Sequence, residues 1–203
     1  MEYMATLEDN AFDLAIVDPP YNLARFKKGL REGDRLSGNL TGDSLAWNNN
    51  HPTKKYWDEL FRVSINQIVW GANNFHLPTT EYFCIWDKKQ TVDNFATAEY
   101  AWVSMGLKKP AKIFRYSIHQ HNSDHIIGGK IHPTQKPVKL YEWLLTNYAK
   151  PEQRILDTHL GSGSSAIAAH YFGCDFVGCE LDEDYYNAAV ERFNQSTKQL
   201  ALI

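Results

Sequence analysis

Cysteine is scarce in this chain. Cys84, Cys174 and Cys179 are the three present among 203 residues, and no two form a C-x-x-C pair. An odd, scattered set excludes a disulfide framework and the usual zinc-ligand spacings. Each lies in apolar surroundings (YFCIW, FGCDF, VGCEL) and reads as a small buried residue. No apolar run approaches the ~20 residues of a membrane span, so no membrane partner is expected. The opening Met-Glu-Tyr-Met-Ala lacks the basic start and apolar core of a signal peptide, and the expectation is a cytoplasmic location. No internal repeat or low-complexity tract is present. A basic excess is missing too. The formal net charge is −3, so any nucleic-acid surface has to be a local one.

Two stretches supply local positive charge. Arg25, Lys27, Lys28, Arg31 and Arg35 cluster against Glu32 and Asp34, and Lys108, Lys109, Lys112 and Arg115 form a run without an acid. Either is a phosphate-binding surface or a solvated face. His119, His121, His125 and His132 read as a polar loop rather than a metal site, because their spacing is loose and only Asp124 joins them.

The pattern along the chain is α/β. Residues 11–17 (AFDLAIV) form a buried strand stopped by Asp18-Pro19-Pro20-Tyr21. Residues 22–55 are rich in Gly, Asn, Ser and charge and read as a long loop or a mobile insertion. A helix is predicted over 56–66, strands over 67–70 and 82–86, a helix over 92–105, and a strand over 112–116. Pro137 suits the first turn of a helix reaching about Ala149, with an apolar stripe of Leu140, Tyr141, Leu144, Leu145 and Tyr148. Then come a strand at 154–157, a glycine turn, a helix at 164–172 stopped by Gly173, a strand at 175–181, and a helix capped by Asp182 to about Gln195. Strand–turn–helix–strand–helix is a βαβ unit, so a single domain over 1–203 with a mostly parallel sheet flanked by helices is expected.

Two constellations carry chemistry. In Asp157-Thr-His159-Leu-Gly161-Ser162-Gly163-Ser164-Ser, a turn follows a strand and opens a helix. Its glycines let backbone approach a ligand. Glu180 ends the next strand, 17 positions beyond Gly163, near the offset at which a carboxylate meets ribose hydroxyls. The third glycine of the dinucleotide pattern is replaced by Ala166, which favours an adenosyl ligand over NAD. At Asp18–Tyr21, two prolines fix φ and remove two backbone donors. A carboxylate, a rigid carbonyl and an aromatic face remain. That set suits a flat ring bearing an amino group, its hydrogens going to Asp18 and the Pro19 carbonyl, with Tyr21 stacking on the ring. Asn73 and Trp86 also follow strands at this sheet edge, and either line the pocket or pack at strand ends.

Asp18-Pro-Pro-Tyr-Asn22, the 157–165 turn, Glu180 and His132-Pro-Thr-Gln-Lys136-Pro137 together resemble the amino-group (N6-adenine/N4-cytosine) DNA methyltransferases. The tetrapeptide lies before the cofactor motif, the permuted order of their β group. The resemblance implies a Rossmann-like S-adenosylmethionine-dependent domain. It assigns Asp18, Pro19, Pro20 and Tyr21 to catalysis. Asp157, His159, Gly161, Ser162, Gly163, Ser164, Glu180, His132 and Lys136 go to cofactor binding. The chain divides into a catalytic half at 1–116, a short recognition segment at about 117–131 and a cofactor half at 132–195. Thr158 and His159 depart from the family's Pro-Phe, and the recognition segment is shorter than usual.

The expected reaction is methylation of adenine N6 in DNA, without a cysteine nucleophile. The target base has to leave the stack. Arg25, Lys27, Lys28 and Lys112 are the candidates for holding phosphates. Alternatives are cytosine N4, for which serine at position 18 would be more usual, an RNA adenine substrate, and a catalytically silent binding subunit. A homodimer is a further possibility.

Overall fold

The computed structural model describes residues 1–21, 51–93, 96–117, 130–132 and 134–198. Arg25, Lys27, Lys28, His119, His121 and His125, with most of both expected loop segments, lie outside the described residues.

Among the described residues, seven strands form one sheet. In chain order they are β1 (Phe12–Val17), β2 (Ser64–Trp70), β3 (Phe83–Asp87), β4 (Ala98–Val103), β5 (Lys112–Arg115), β6 (Arg154–Asp157) and β7 (Asp175–Gly178). Their spatial order is β5-β3-β4-β2-β1-β6-β7. β4 runs antiparallel to its neighbours β2 and β3, and the other pairings are parallel. The carboxyl ends of β1, β2, β3, β5, β6 and β7 therefore share one edge with the amino end of β4. In open α/β sheets ligands bind at that edge.

Helices α1 (Glu2–Ala5), α2 (Lys54–Val63), α3 (Val138–Tyr148), α4 (Ser164–Phe172) and α5 (Glu183–Lys198) complete the described fold. Side chains alternate along each strand and so feed two cores. Leu14, Ile16, Ile68, Trp70, Ala101 and Val103 pack under α3 and α4. Ala15, Val17, Val69, Trp102 and Leu156 pack against α1 and α2 on the opposite face.

Three expectations are corrected. The helix expected over 92–105 is not found among its described residues, since 98–103 are β4. Tyr100, Trp102 and Val103 favour a pleated surface, and pairing on both sides by β2 and β3 overrides the helical reading. The second helix starts earlier than expected, because the Thr53 hydroxyl accepts the Tyr56 N–H. It stops at Val63, and β2 starts immediately at Ser64, where pairing with Phe12 begins. Pro137 caps α3 from outside rather than lying in its first turn.

Candidate active site

Asp18 leaves the end of β1, between the exits of β2 and β6. It therefore stands beside both Gly71 and the glycine turn. Its Oδ2 accepts from Lys136 Nζ. Its Oδ1 is buried without a hydrogen-bond partner. Buried acceptors are rarely left unpaired, and one at a sheet's ligand edge is a place for an incoming donor.

Lys136 also reaches Glu99 Oε2 at 3.1 Å, and Lys88 holds Glu99 Oε1. The sequence reading placed Lys136 with the cofactor, but the structure puts its ammonium on the tetrapeptide carboxylate. Burial raises the Asp18 carboxyl above the usual carboxylate range, although Lys136 pulls it back. Burial also works against the charges on Glu99 and Lys136, yet their partners win. Lys136 and Lys88 hold Glu99 down at about 2. Asp18 and Glu99 hold Lys136 above its ordinary value.

Tyr21 lies across Gly71. A Cβ built on Gly71 would be 2.6 Å from the Tyr21 ring, and the Gly71 φ of +66° is itself one that side chains resist. From Tyr21 an aromatic wall runs through Phe75 and Trp57 to Tyr56 and His159, each ring within 6.4 Å of the next. It joins the tetrapeptide to the glycine turn. Burial pushes the Tyr21 hydroxyl up to about 12, so it stays protonated.

Asp157 shapes the turn from beneath. Its Oδ1 accepts the His159 N–H at 3.0 Å, and its Oδ2 accepts the Ser165 hydroxyl at 2.6 Å. Burial raises its pKa to about 7. His159 shares a 2.9 Å hydrogen bond with Thr158 Oγ1, which also meets the Tyr56 hydroxyl at 2.7 Å. Burial depresses His159 to about 4, so the ring is neutral near pH 7. Ser162 and Ser164 are buried and touch through their hydroxyls at 3.1 Å.

His132 packs over the turn. Its ring is 3.6 Å from a Cβ built on Gly161, and it meets the Tyr185 ring at 4.5 Å. Gly163 is pressed against Ala189 of α5, with 3.3 Å to a built Cβ. Arg192 of the same helix donates to the Ser162 carbonyl at 2.7 Å and to Ser164 Oγ at 2.9 Å.

Glu180 accepts N–H groups from Gly161, Leu181 and Asp182 at 2.8, 2.8 and 3.1 Å. The carboxylate is thereby fixed, with lone-pair capacity left for a further donor. Leu181 beside it is 95% exposed, an apolar surface at the mouth of the turn. A fixed carboxylate with spare acceptor capacity beside an apolar side chain and a glycine turn fits an adenosyl group bearing a ribose diol.

The structure thus gathers Asp18 to Tyr21, Lys136, His132, the glycine turn and Glu180 on one edge. It does not bring Lys112 there. That residue opens β5, at the strand end away from Asp18, and Arg115 is the residue nearer the site edge. Asn73 is exposed on the short turn after β2, whereas Trp86 is a core side chain whose Nε1 donates to the Tyr116 carbonyl. Glu99, Gly71 and Arg192 were not foreseen. Gly71 and Phe75 carried a signal, since both lie in the WGANNF segment that follows a strand. Glu99 and Arg192 carried none, being single charges in ordinary surroundings.

A seven-stranded sheet of this order, flanked by helices and with Asp18 to Tyr21 and a glycine turn on one edge, is a Rossmann-like α/β fold. The chain belongs to the N6/N4 DNA methylase family, whose profile, described as DNA methylase, matches residues 34–191. That family consists of S-adenosylmethionine-dependent methyltransferases. The match begins after Tyr21, so the role of the tetrapeptide rests on its own geometry.

The type II methyltransferase M.HinfI of Haemophilus influenzae is 23% identical over 96% of this chain and 66% of its own length. M2.LlaDCHI of Lactococcus lactis subsp. cremoris is 23% identical over 93% of this chain and 84% of its own. Among solved structures, TTHA0409 of Thermus thermophilus in complex with S-adenosyl-L-methionine superposes with a TM-score of 0.57. It is 18% identical and covers 96% of this chain and 90% of its own. The cytosine-N4-specific PvuII DNA methyltransferase has a TM-score of 0.58 at 14% identity, covering 94% of this chain and 82% of its own. At those identities the neighbours establish the fold. The family match makes this chain a DNA methyltransferase acting on a base amino group.

Proposed function

We propose that this protein methylates the N6 amino group of adenine in DNA. The observation that carries the reading is the buried, unpartnered Oδ1 of Asp18. Beside it lie a Pro-Pro segment with no backbone donors and the Tyr21 ring. Such a site takes the hydrogens of an aromatic amine and supports its ring. When bound at the glycine turn, S-adenosylmethionine supplies a methyl group already activated by positively charged sulfur. Glu180 would hold its ribose, and His132 lies over the turn.

The amine is a poor nucleophile because its lone pair is delocalised into the ring. Asp18 Oδ1, with the Pro19 carbonyl, draws the amino hydrogens out of the ring plane and turns the lone pair toward the methyl group. The carboxylate then stabilises positive charge developing on nitrogen. Asp18 need not be a strong base, because the proton leaves after transfer. The Asp18 side chain is only 15% exposed, so the base has to leave its stack to reach it. Adenine is preferred to cytosine because position 18 is aspartate, where serine accompanies the cytosine enzymes the chain resembles.

Asp18→Ala is expected to lower turnover by about 10²–10³-fold or more while leaving cofactor binding in place. Incubation with methyl-labelled cofactor and mixed DNA, followed by nucleoside analysis, should give N6-methyl-2′-deoxyadenosine. N4-methyl-2′-deoxycytidine would replace adenine by cytosine as the target. Label appearing only with RNA would change the substrate class, and no label with either would favour a silent binding subunit. Retained turnover in Asp18→Ala would overturn the mechanism.

A further inference from the structure

Lys136, Glu99 and Lys88 come together from three separate places: the loop before α3, the start of β4 and the loop after β3. With Asp18 they form a row of alternating charge, − + − +. Its inner member, Lys136, is 4% exposed and touches both carboxylates. A buried lysine with two acidic partners needs a reason, because desolvating three charges is costly.

We infer that Lys136 and Glu99 are positioning residues that set the orientation and charge of Asp18 for methyl transfer. The inference rests on Asp18 receiving the target amine. Lys136 occupies one oxygen of Asp18 and so directs the other at the amine. It also opposes the desolvation that raises the Asp18 pKa, since a desolvated acid without a cation more readily takes up a proton and loses its acceptor role. Lys136 alone would create a difficulty. Its charge would cancel that of Asp18 and leave little to stabilise positive charge on the reacting nitrogen. Glu99 removes the difficulty by making the inner three groups net negative. Lys88 holds the far oxygen of Glu99, and it is the most remote of the four from the amine.

The two residues therefore act on Asp18 in opposite directions. Other groups facing Asp18 are Tyr21 on its own segment, Tyr141 of α3 and Asp157 of β6, and all three remain unchanged in the variants below. Removing Lys136 raises the Asp18 pKa, and removing the Glu99 charge lowers it.

The test is single-turnover methylation of DNA as a function of pH, with S-adenosylhomocysteine binding measured alongside. Lys136→Met should shift the acidic limb to higher pH and slow transfer by about 10²-fold. Lys136→Arg should keep the limb near the wild-type position. Glu99→Gln, which preserves shape, should shift the limb to lower pH and slow transfer by about 10-fold. Cofactor-product affinity should hold within about threefold in each variant. Limbs that stay in place, or move in the same direction, would overturn the inference. So would loss of cofactor affinity at unchanged rate, which would return Lys136 to the cofactor set. If Lys136→Met does not fold, the direction of the Glu99→Gln shift decides alone. Asp18→Ala separates the layers. An active Asp18→Ala enzyme defeats the reading of Asp18 itself, whereas an inactive one with unmoved limbs in the other variants defeats only the clamp.

Discussion

At Gly71 the chain turns off β2 with φ +66°, and the Tyr21 ring rests directly on that backbone. The position has two demands, a left-handed conformation and an absent Cβ, and glycine alone meets both. Gly71→Ala should destabilise the fold by about 1–3 kcal/mol and displace Tyr21. Methylation should fall by more than cofactor affinity does, read from kcat beside S-adenosylhomocysteine binding. An unchanged kcat would show that Tyr21 does not support the base. His159 is another single-residue decision. Where the family pattern has phenylalanine, this chain keeps an aromatic face against Tyr56 and adds a polar atom bonded to Thr158. The substitution is tolerated because the ring is neutral and its Nδ1 is satisfied.

At the scale of elements, α5 does more than cover the sheet. Its first turn is tied down by Asp182, whose Oδ1 accepts the Asp184 and Tyr185 N–H groups at 3.0 and 3.1 Å. Its middle presses Ala189 on Gly163, and Arg192 grips the turn by a carbonyl and a hydroxyl. The helix thus fixes the cofactor turn from behind. Arg192→Ala should leave the Ser162 carbonyl and the Ser164 hydroxyl without this donor, costing about 1–3 kcal/mol of stability. The affinity for S-adenosylhomocysteine, measured by calorimetry, should weaken several-fold with little change in the single-turnover rate. A rate loss at unchanged affinity would contradict that division of labour. β4 is the other element with a site role. As the antiparallel strand, it alone among the described strands presents its amino end at the ligand edge, and so it delivers Glu99 there.

For the whole molecule, buried titratable groups oppose one another in pH. Asp157 is raised from 3.8 to about 7, so between those values the folded state holds a proton that the unfolded chain lacks. Stability from this group is present at low pH and lost as pH rises through about 7. His132 and His159 are depressed from 6.5 to about 4, so their contribution is present above 6.5 and lost as pH falls toward 4. The two effects overlap and offset each other. Asp157→Asn should therefore steepen the loss of Tm between about pH 7 and pH 5, and His159→Phe should flatten it, each by about 3 °C or more. Thermal unfolding at the two pH values checks this, and parallel Tm–pH curves for wild type and both variants would refute it.

Local order along the chain was enough to identify the tetrapeptide at 18–21, the glycine turn at 161–163, Glu180 and the Asp182 cap, as well as the βαβ unit that holds the turn. In each, residues close in sequence create the feature, so spacing and residue type carry the information. The strand at 98–103 was illegible because its conformation is imposed by partners on both sides. Lys136 was read with the cofactor from its motif, and its contact with Asp18, 118 positions away, was not legible there. Glu99 and Arg192 acquire their roles in the same manner, across the sheet and from an outer helix. The sequence by itself determined which chemistry the edge of this sheet can perform. Tertiary structure alone decided which charges surround Asp18, because the energy of a buried charge depends on groups that only folding brings within a few ångströms.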